Sequence, residues 1–149
     1  MNLVKNISQY NEDNVYFCEP IKNNVMNEGK FIRILYSTHN LVLNGIYLLV
    51  HINDITCDKY YNKYKCNFNT IHNKDIIDNI KTIEENILRK IEIKKIPQFK
   101  IYEQLKNGNI KLFNEVNKSF CSFILKISGV WETQFNCGLT YKFITPLDM

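Results

Sequence analysis

Apolar residues recur at three- and four-residue spacings in one window of the chain and at two-residue spacings almost everywhere else. In the window Asp75–Ile91, residues Ile76, Ile77, Ile80, Ile83, Ile87, Leu88 and Ile91 form a single stripe. That is the period of an α-helix with one buried face, and it predicts one main helix. Asn73 stands where it can cap the helix start, and Asp75 suits the positive end of the dipole. Arg89 and Lys90 suit the other end. Isoleucine is stiff at χ1 and a mediocre helix former, so tertiary burial has to hold this helix together.

The rest of the chain alternates. Val15–Cys18 reads as a short strand ended by Glu19-Pro20, followed by a loop over Ile21–Lys30. Phe31–Tyr36 is a strand, Ser37–Asn40 a turn, and Asn44-Gly45 between apolar runs marks a hairpin or bulge. In Ile46–Ile52, residues Ile46, Leu48, Val50 and Ile52 share one face while Tyr47, Leu49 and His51 share the other. Phe120–Val130 buries Cys121, Phe123, Leu125 and Ile127, and Leu139–Ile144 follows after a loop at Asn136–Gly138. Pro97–Leu105 has two readings. A short helix would run from Pro97 to a stop at Asn107-Gly108. A strand alternating Phe99, Ile101 and Glu103 would instead turn there into Ile110–Phe113, and the helix is preferred. The expected fold is a single domain over residues 1–149, mostly β with one main α-helix (α+β). A small β-barrel of the oligonucleotide-binding (OB-fold-like) type satisfies that order of elements.

At 149 residues the chain can bury roughly two thirds of its extended surface, enough for a core without metal or disulfide staples. Its 45% hydrophobic and 13% aromatic content is that of a folded protein. Asn, Ile and Lys dominate, alanine is absent, and Arg33 and Arg89 are the only arginines. These preferences follow A/T-rich codons, so Asn clusters such as Asn23-Asn24 reflect an A+T-rich genome rather than a prion-like tract. Against that bias Gly129, Trp131 and Gly138 stand out. Cys18, Cys57, Cys66, Cys121 and Cys137 form an odd set without a C-x-x-C pair. Reduced, mostly buried thiols in a host cytoplasm or nucleus are the expectation. There is no apolar leader and no apolar run near ~18 residues, so neither signal peptide nor membrane span is expected.

The segment Asp58–Phe68 interleaves lysine with tyrosine. As one continuous strand it would set Lys59, Tyr61, Lys63 and Lys65 on one face, with Tyr60, Tyr64, Cys66 and Phe68 on the other. Ammonium groups attract phosphates, and an exposed ring gives a base something to stack on. Net charge is only +4, so the clustering of cations, not their total, is what points to a polyanion.

A second cluster lies in Ile124–Phe143, where K-I-S-G-V-W-E-T precedes G-L-T-Y-K-F. This stretch resembles the C-terminal hairpin of single-stranded DNA-binding proteins encoded by large DNA viruses, phages and linear plasmids. The resemblance lies mainly in residues 124–143. It implies an OB barrel, non-catalytic coating of unpaired strands, and a binding groove near Lys126, Trp131, Tyr141 and Lys142. From the residues themselves, Lys126 projects opposite Leu125 and Ile127, Lys142 projects opposite Tyr141 and Phe143, and Trp131 and Phe135 offer stacking planes. Residues 144–149 carry one acid, Asp148, where many such proteins have an acidic tail that recruits replication partners.

Chemistry of other kinds has no visible engine. His39, His51 and His72 lack metal-ligand spacing, so no metal or other cofactor is expected. Glu84 and Glu85 are adjacent on a helix and cannot both face one pocket. There is no nucleophile elbow and no phosphate-cradling loop, so the chain is not expected to be an enzyme. The expected function is sequence-nonspecific binding of single-stranded DNA in viral or plasmid replication. Lys59, Lys63, Lys65, Lys126 and Lys142 would neutralise phosphates, and Tyr47, Tyr61, Trp131, Phe135 and Tyr141 would meet bases. Homo-oligomers and replication proteins are expected partners, and a membrane is not. The alternative is a viral or plasmid accessory protein that binds a protein partner through its Tyr-rich surface.

Overall fold

A computed structural model describes residues 3–22, 29–112 and 121–146. Asn23, Asn24, Phe113, Phe120 and Asp148, which figure in the sequence reading, lie outside the described residues. Twelve strands and two α-helices are described. The strands are β1 (Lys5–Asn6), β2 (Val15–Phe17), β3 (Ile21–Lys22), β4 (Lys30–Ser37), β5 (Val42–Leu43), β6 (Ile46–His51), β7 (Thr56–Tyr60), β8 (Lys63–Asn67), β9 (Ile96–Gln98), β10 (Asn109–Leu112), β11 (Ser122–Glu132) and β12 (Asn136–Ile144). The helices are α1 (Lys74–Lys90) and α2 (Lys100–Lys106).

Strand β11 is the spine of the main sheet. Along one side it pairs first with β6, from Ser122 opposite His51 to Ile127 opposite Ile46. The same side then pairs with β4, from Gly129 opposite Arg33 to Glu132 opposite Lys30. Its other side pairs with β12, and β9 adds in parallel at residues Asn136–Gly138. Strands β7, β8 and β10 form a separate three-stranded antiparallel sheet. The expected closed barrel is not found. One long strand shared by two shorter ones gives an open main sheet, and the lysine-rich strands leave it to make a sheet of their own.

The inner face of the main sheet carries Ile32, Ile34, Ile46, Leu48, Val50, Phe123, Leu125, Ile127 and Phe143, all buried. Against them pack Ile77, Ile80, Ile83, Ile87 and Leu88 of α1 and Ile101 and Leu105 of α2. Burying such side chains contributes roughly 1.5–3 kcal/mol each, which is how an isoleucine-rich helix is held. The helix is one residue out of step with the expected 75–91 window, and Asn73 does not cap it through its side chain. Instead buried Asn73 accepts from the Asn53 N–H at 2.7 Å and donates to the Asn53 and Asn69 carbonyls, tying two loops to the helix entrance.

The stretch with two readings contains both. Ile96–Gln98 is a strand, and α2 follows at once. Glu84, fully buried on the α1 stripe, accepts from the backbone N–H groups of Ile101 at 3.0 Å and Tyr102 at 2.9 Å. A side chain from one helix thus caps the first turn of another. Burial pushes the Glu84 carboxyl up to about 7 against the two hydrogen bonds, which favour its charged form. Downstream, Gly108 at φ 76 takes the left-handed position after the helix, and a Cβ there would stand 2.9 Å from the Phe68 carbonyl.

The cysteines depart from the expectation of five reduced thiols. Cys57 and Cys66 are directly opposite on β7 and β8 with their sulfurs at disulfide distance, while Cys18, Cys121 and Cys137 are free. No helix among the described residues is long and apolar enough to cross a membrane.

Candidate nucleic-acid interface

The face of the main sheet turned away from the helices gathers rings and cations. Residues paired across antiparallel strands share a face, so a side chain can be placed from the register alone. Lys126 pairs with Tyr47 on one side and Lys142 on the other. The three form a row across β6, β11 and β12, with the Lys126 ammonium 5.5 Å from the centre of the Tyr47 ring.

Trp131 stands five residues from Lys126, and strict alternation would put it on the opposite face. A bulge between Ile127 and Gly129 inserts one residue into β11 and reverses the parity. Beyond it Gly129 pairs with Thr140 and Trp131 with Gly138, which lie on the same face as Lys142. Trp131 also pairs with Phe31, and Gly129 with Arg33, on β4. One face therefore carries Phe31, Arg33, Tyr47, Lys126, Trp131 and Lys142.

The glycines give the rings their room. A Cβ on Gly138 would lie 2.5 and 2.7 Å from two indole atoms of Trp131, so the indole lies directly over the Gly138 backbone. A Cβ on Gly129 would run into the Phe31 ring in the same way. Both rings are half-buried: their undersides rest on the strand and their other sides face outward. No carboxylate lies within ion-pair distance of Arg33, Lys126 or Lys142 among the described residues. Lys95, by contrast, is matched by Glu132 at 2.6 Å.

Lys142 also lines a groove beside β12, where that strand has no ladder partner beyond Gly138 on its outer side among the described residues. The groove, about 620 Å³, is lined by Lys65 of β8, Lys111 of β10, Lys100 of α2 and Lys142, with Glu103 the one acid. Lys100 belongs equally to a mainly apolar cleft of about 620 Å³ formed with Gln98, Trp131, Thr133 and Asn136. The sheet face, the lysine groove and the indole cleft are thus continuous through Lys142 and Lys100.

The remaining expected residues fall in different places. Asp58–Phe68 is not one strand but the hairpin β7–β8, with Tyr61 at φ 56 in its turn. The turn breaks the two-residue alternation. Lys59 shares a face with Tyr64 and Cys66, opposite the face of Tyr60, Lys63, Lys65 and Lys111. Tyr61 projects from the tip, 83% exposed, edge-on to Tyr60. Phe135 is 65% exposed at the tip of the β11–β12 hairpin. Tyr141 is on the inner side: its hydroxyl donates to Gln104 Oε1 and lies 3.3 Å from the Lys100 carbonyl, fastening α2 to β12. Burial pushes its phenol up to about 12. Lys65, Lys126, Trp131, Tyr47 and Lys142 are brought together, Tyr141 supports them from beneath, and Lys59, Tyr61 and Phe135 stand apart. Sequence reasoning missed Phe31, Arg33, Lys100 and Lys111, because the strand register that gathers them leaves no local mark.

No protein-family model, curated protein or solved structure matches the chain.

Proposed function

We propose that the chain is a sequence-nonspecific single-stranded DNA-binding protein acting in viral or plasmid DNA replication. The observation that carries this is the outward sheet face on which Trp131 and Phe31 lie over glycines beside Arg33, Lys126 and Lys142, cations that meet no carboxylate among the described residues. Flat rings accept any base, at about 1–3 kcal/mol per base, and lysines accept phosphates without reading sequence. The lysine groove extends the cationic track past the sheet edge. The viral or plasmid setting rests on the resemblance of residues 124–143 and on the A/T-biased composition.

Titration with fluorescent oligo-dT at low salt tests the reading. Micromolar protein should raise the anisotropy and the oligonucleotide should quench Trp131, the only tryptophan. No change in either signal up to tens of micromolar protein would sink it. The second reading, a protein-binding surface, draws on the exposed pair Tyr60 and Tyr61 at the β7–β8 tip. A complex there would be insensitive to salt and indifferent to Lys126 and Lys142.

A further inference from the structure

The cleft over Trp131 has a feature that a stacking surface does not need. Lining it with the indole are two carboxamides, Gln98 of β9 and Asn136 of β12. They bond to each other, Gln98 Nε2 donating to Asn136 Oδ1 at 3.2 Å. That single bond occupies one N–H and one carbonyl oxygen. Whichever way the amides are assigned, the pair keeps an unused carbonyl and unused N–H groups, because each amide offers both. No other described side chain bonds either amide. Thr133 is engaged with the Asn136 backbone instead, which fixes the loop. Lys100 also lines the cleft, its ion pair with Glu103 being long at 3.9 Å and solvent-exposed.

We infer that this cleft takes one unpaired nucleotide, with its base on the Trp131 indole, its Watson–Crick edge on the Gln98–Asn136 amides, and its phosphate on Lys100. The inference rests on the single-strand reading above and adds the source of strand selectivity. Every base presents a donor next to an acceptor on that edge, so a paired amide serves all four. In a duplex the edge is consumed by the partner base and cannot reach the amides. Selectivity for unpaired strands thus comes from a positive contact, beyond the greater ease of stacking on a flexible strand.

The test uses the full chain, dT8, and dT8 methylated at N3 of every thymine, which keeps the charge, backbone and rings but blocks the edge. Wild type should bind the methylated oligomer roughly tenfold more weakly, the scale of one or two hydrogen bonds lost. In the double variant Gln98→Ala, Asn136→Ala the two oligomers should bind alike. Both substitutions leave the backbone ladder at β9 and β12 in place, and Trp131 emission in the free variant verifies the fold. If dT8 binds wild type but methylation has no effect, or the variant still discriminates, the amide contact is refuted while the single-strand reading stands. If dT8 itself fails to bind, both fall.

Discussion

Replacing Lys142 with glutamine should make the free protein more stable and its grip on DNA weaker. Lys126 and Lys142 are directly opposite on β11 and β12, an arrangement in which like charges repel. For two unit charges on the order of 7 Å apart in a solvent-like dielectric, a separation taken for illustration, the repulsion would be about 0.6 kcal/mol before salt screening. The Lys126 ammonium lies toward the Tyr47 ring at 5.5 Å, an interaction that Lys142→Gln leaves intact. For a domain of this size a gain of roughly 0.5 kcal/mol raises Tm by about 1–2 °C. Binding moves the other way. Each phosphate contact on a single strand contributes about 0.7 to the slope of log K against log salt. Losing one contact should reduce that slope by about 0.7, so affinity falls roughly 2–3-fold less between 50 and 200 mM NaCl than in wild type. The assays are thermal melts of the free protein and oligo-dT anisotropy across a salt series. Lys81→Gln, which removes the Lys81–Glu85 pair on α1 and the contact of Lys81 with the Tyr102 ring but no group of the sheet face, is the control and should leave the slope unchanged. A Lys142→Gln protein that melts lower, or that keeps the full salt slope, would refute the idea that this lysine is held for phosphate rather than for the fold.

Buried Glu84 titrates near 7 in the fold against an ordinary value near 4.5, so the native state holds the extra proton between those limits. Stability should therefore be greatest below pH 4.5 as far as this group is concerned, and should fall by about 3 kcal/mol as pH rises through 7. Unfolding free energies from urea melts at pH 5 and pH 8 should differ in wild type by about 2.5 kcal/mol more than in Glu84→Gln, and equal differences in the two proteins would overturn the assignment. Gly138→Ala places a methyl 2.5 Å from the indole and 3.0 Å from the Gln98 carbonyl, so the ring must lift. Trp131 emission should shift and oligo-dT affinity should drop by about 1–3 kcal/mol, the worth of one stacked base; unchanged affinity would separate the indole from binding. Air-oxidised, denatured protein should titrate as the free thiols Cys18, Cys121 and Cys137 alone, and reduction should destabilise the fold by about 2–3 kcal/mol through the short loop closed by Cys57 and Cys66. Five reactive thiols in the oxidised sample would show that the pair does not bond.

What the sequence made legible depended on whether a signal was periodic or relational. The α1 stripe and the alternation in β4, β6 and β11 are periodic, and burial enforced both. The β7–β8 turn was hidden because Tyr61-Asn62 lacks the glycine that usually announces a left-handed residue; Tyr61 takes φ 56 itself. Glu84 was readable in retrospect. It lies four residues after Ile80 and three before Ile87, on the apolar stripe, where an acid must find buried donors. The Ile101 and Tyr102 N–H groups that it finds are separated from it by a loop and a strand, which no window of sequence spans.

The interface itself turns on a single inserted residue. Without the bulge between Ile127 and Gly129, Trp131 would turn to the inner face at the level of Ile32 and Leu139, and Lys126 would stand on a face with no platform. With it, two segments of β11 that bury opposite parities present their lysine and tryptophan together. Gly129, at the bulge, accepts the Phe31 ring, and Gly138, across from Trp131, accepts the indole. In a chain without alanine and poor in glycine, those two positions are retained where any Cβ would collide with a ring. An ordinary core needs neither a bulge nor paired gaps to bury one tryptophan, since an inward residue would bury it more fully. Holding two large rings half in water beside cations that meet no carboxylate among the described residues costs stability, and under the single-strand proposal a ligand that offers flat faces and negative charge at once would offset that cost.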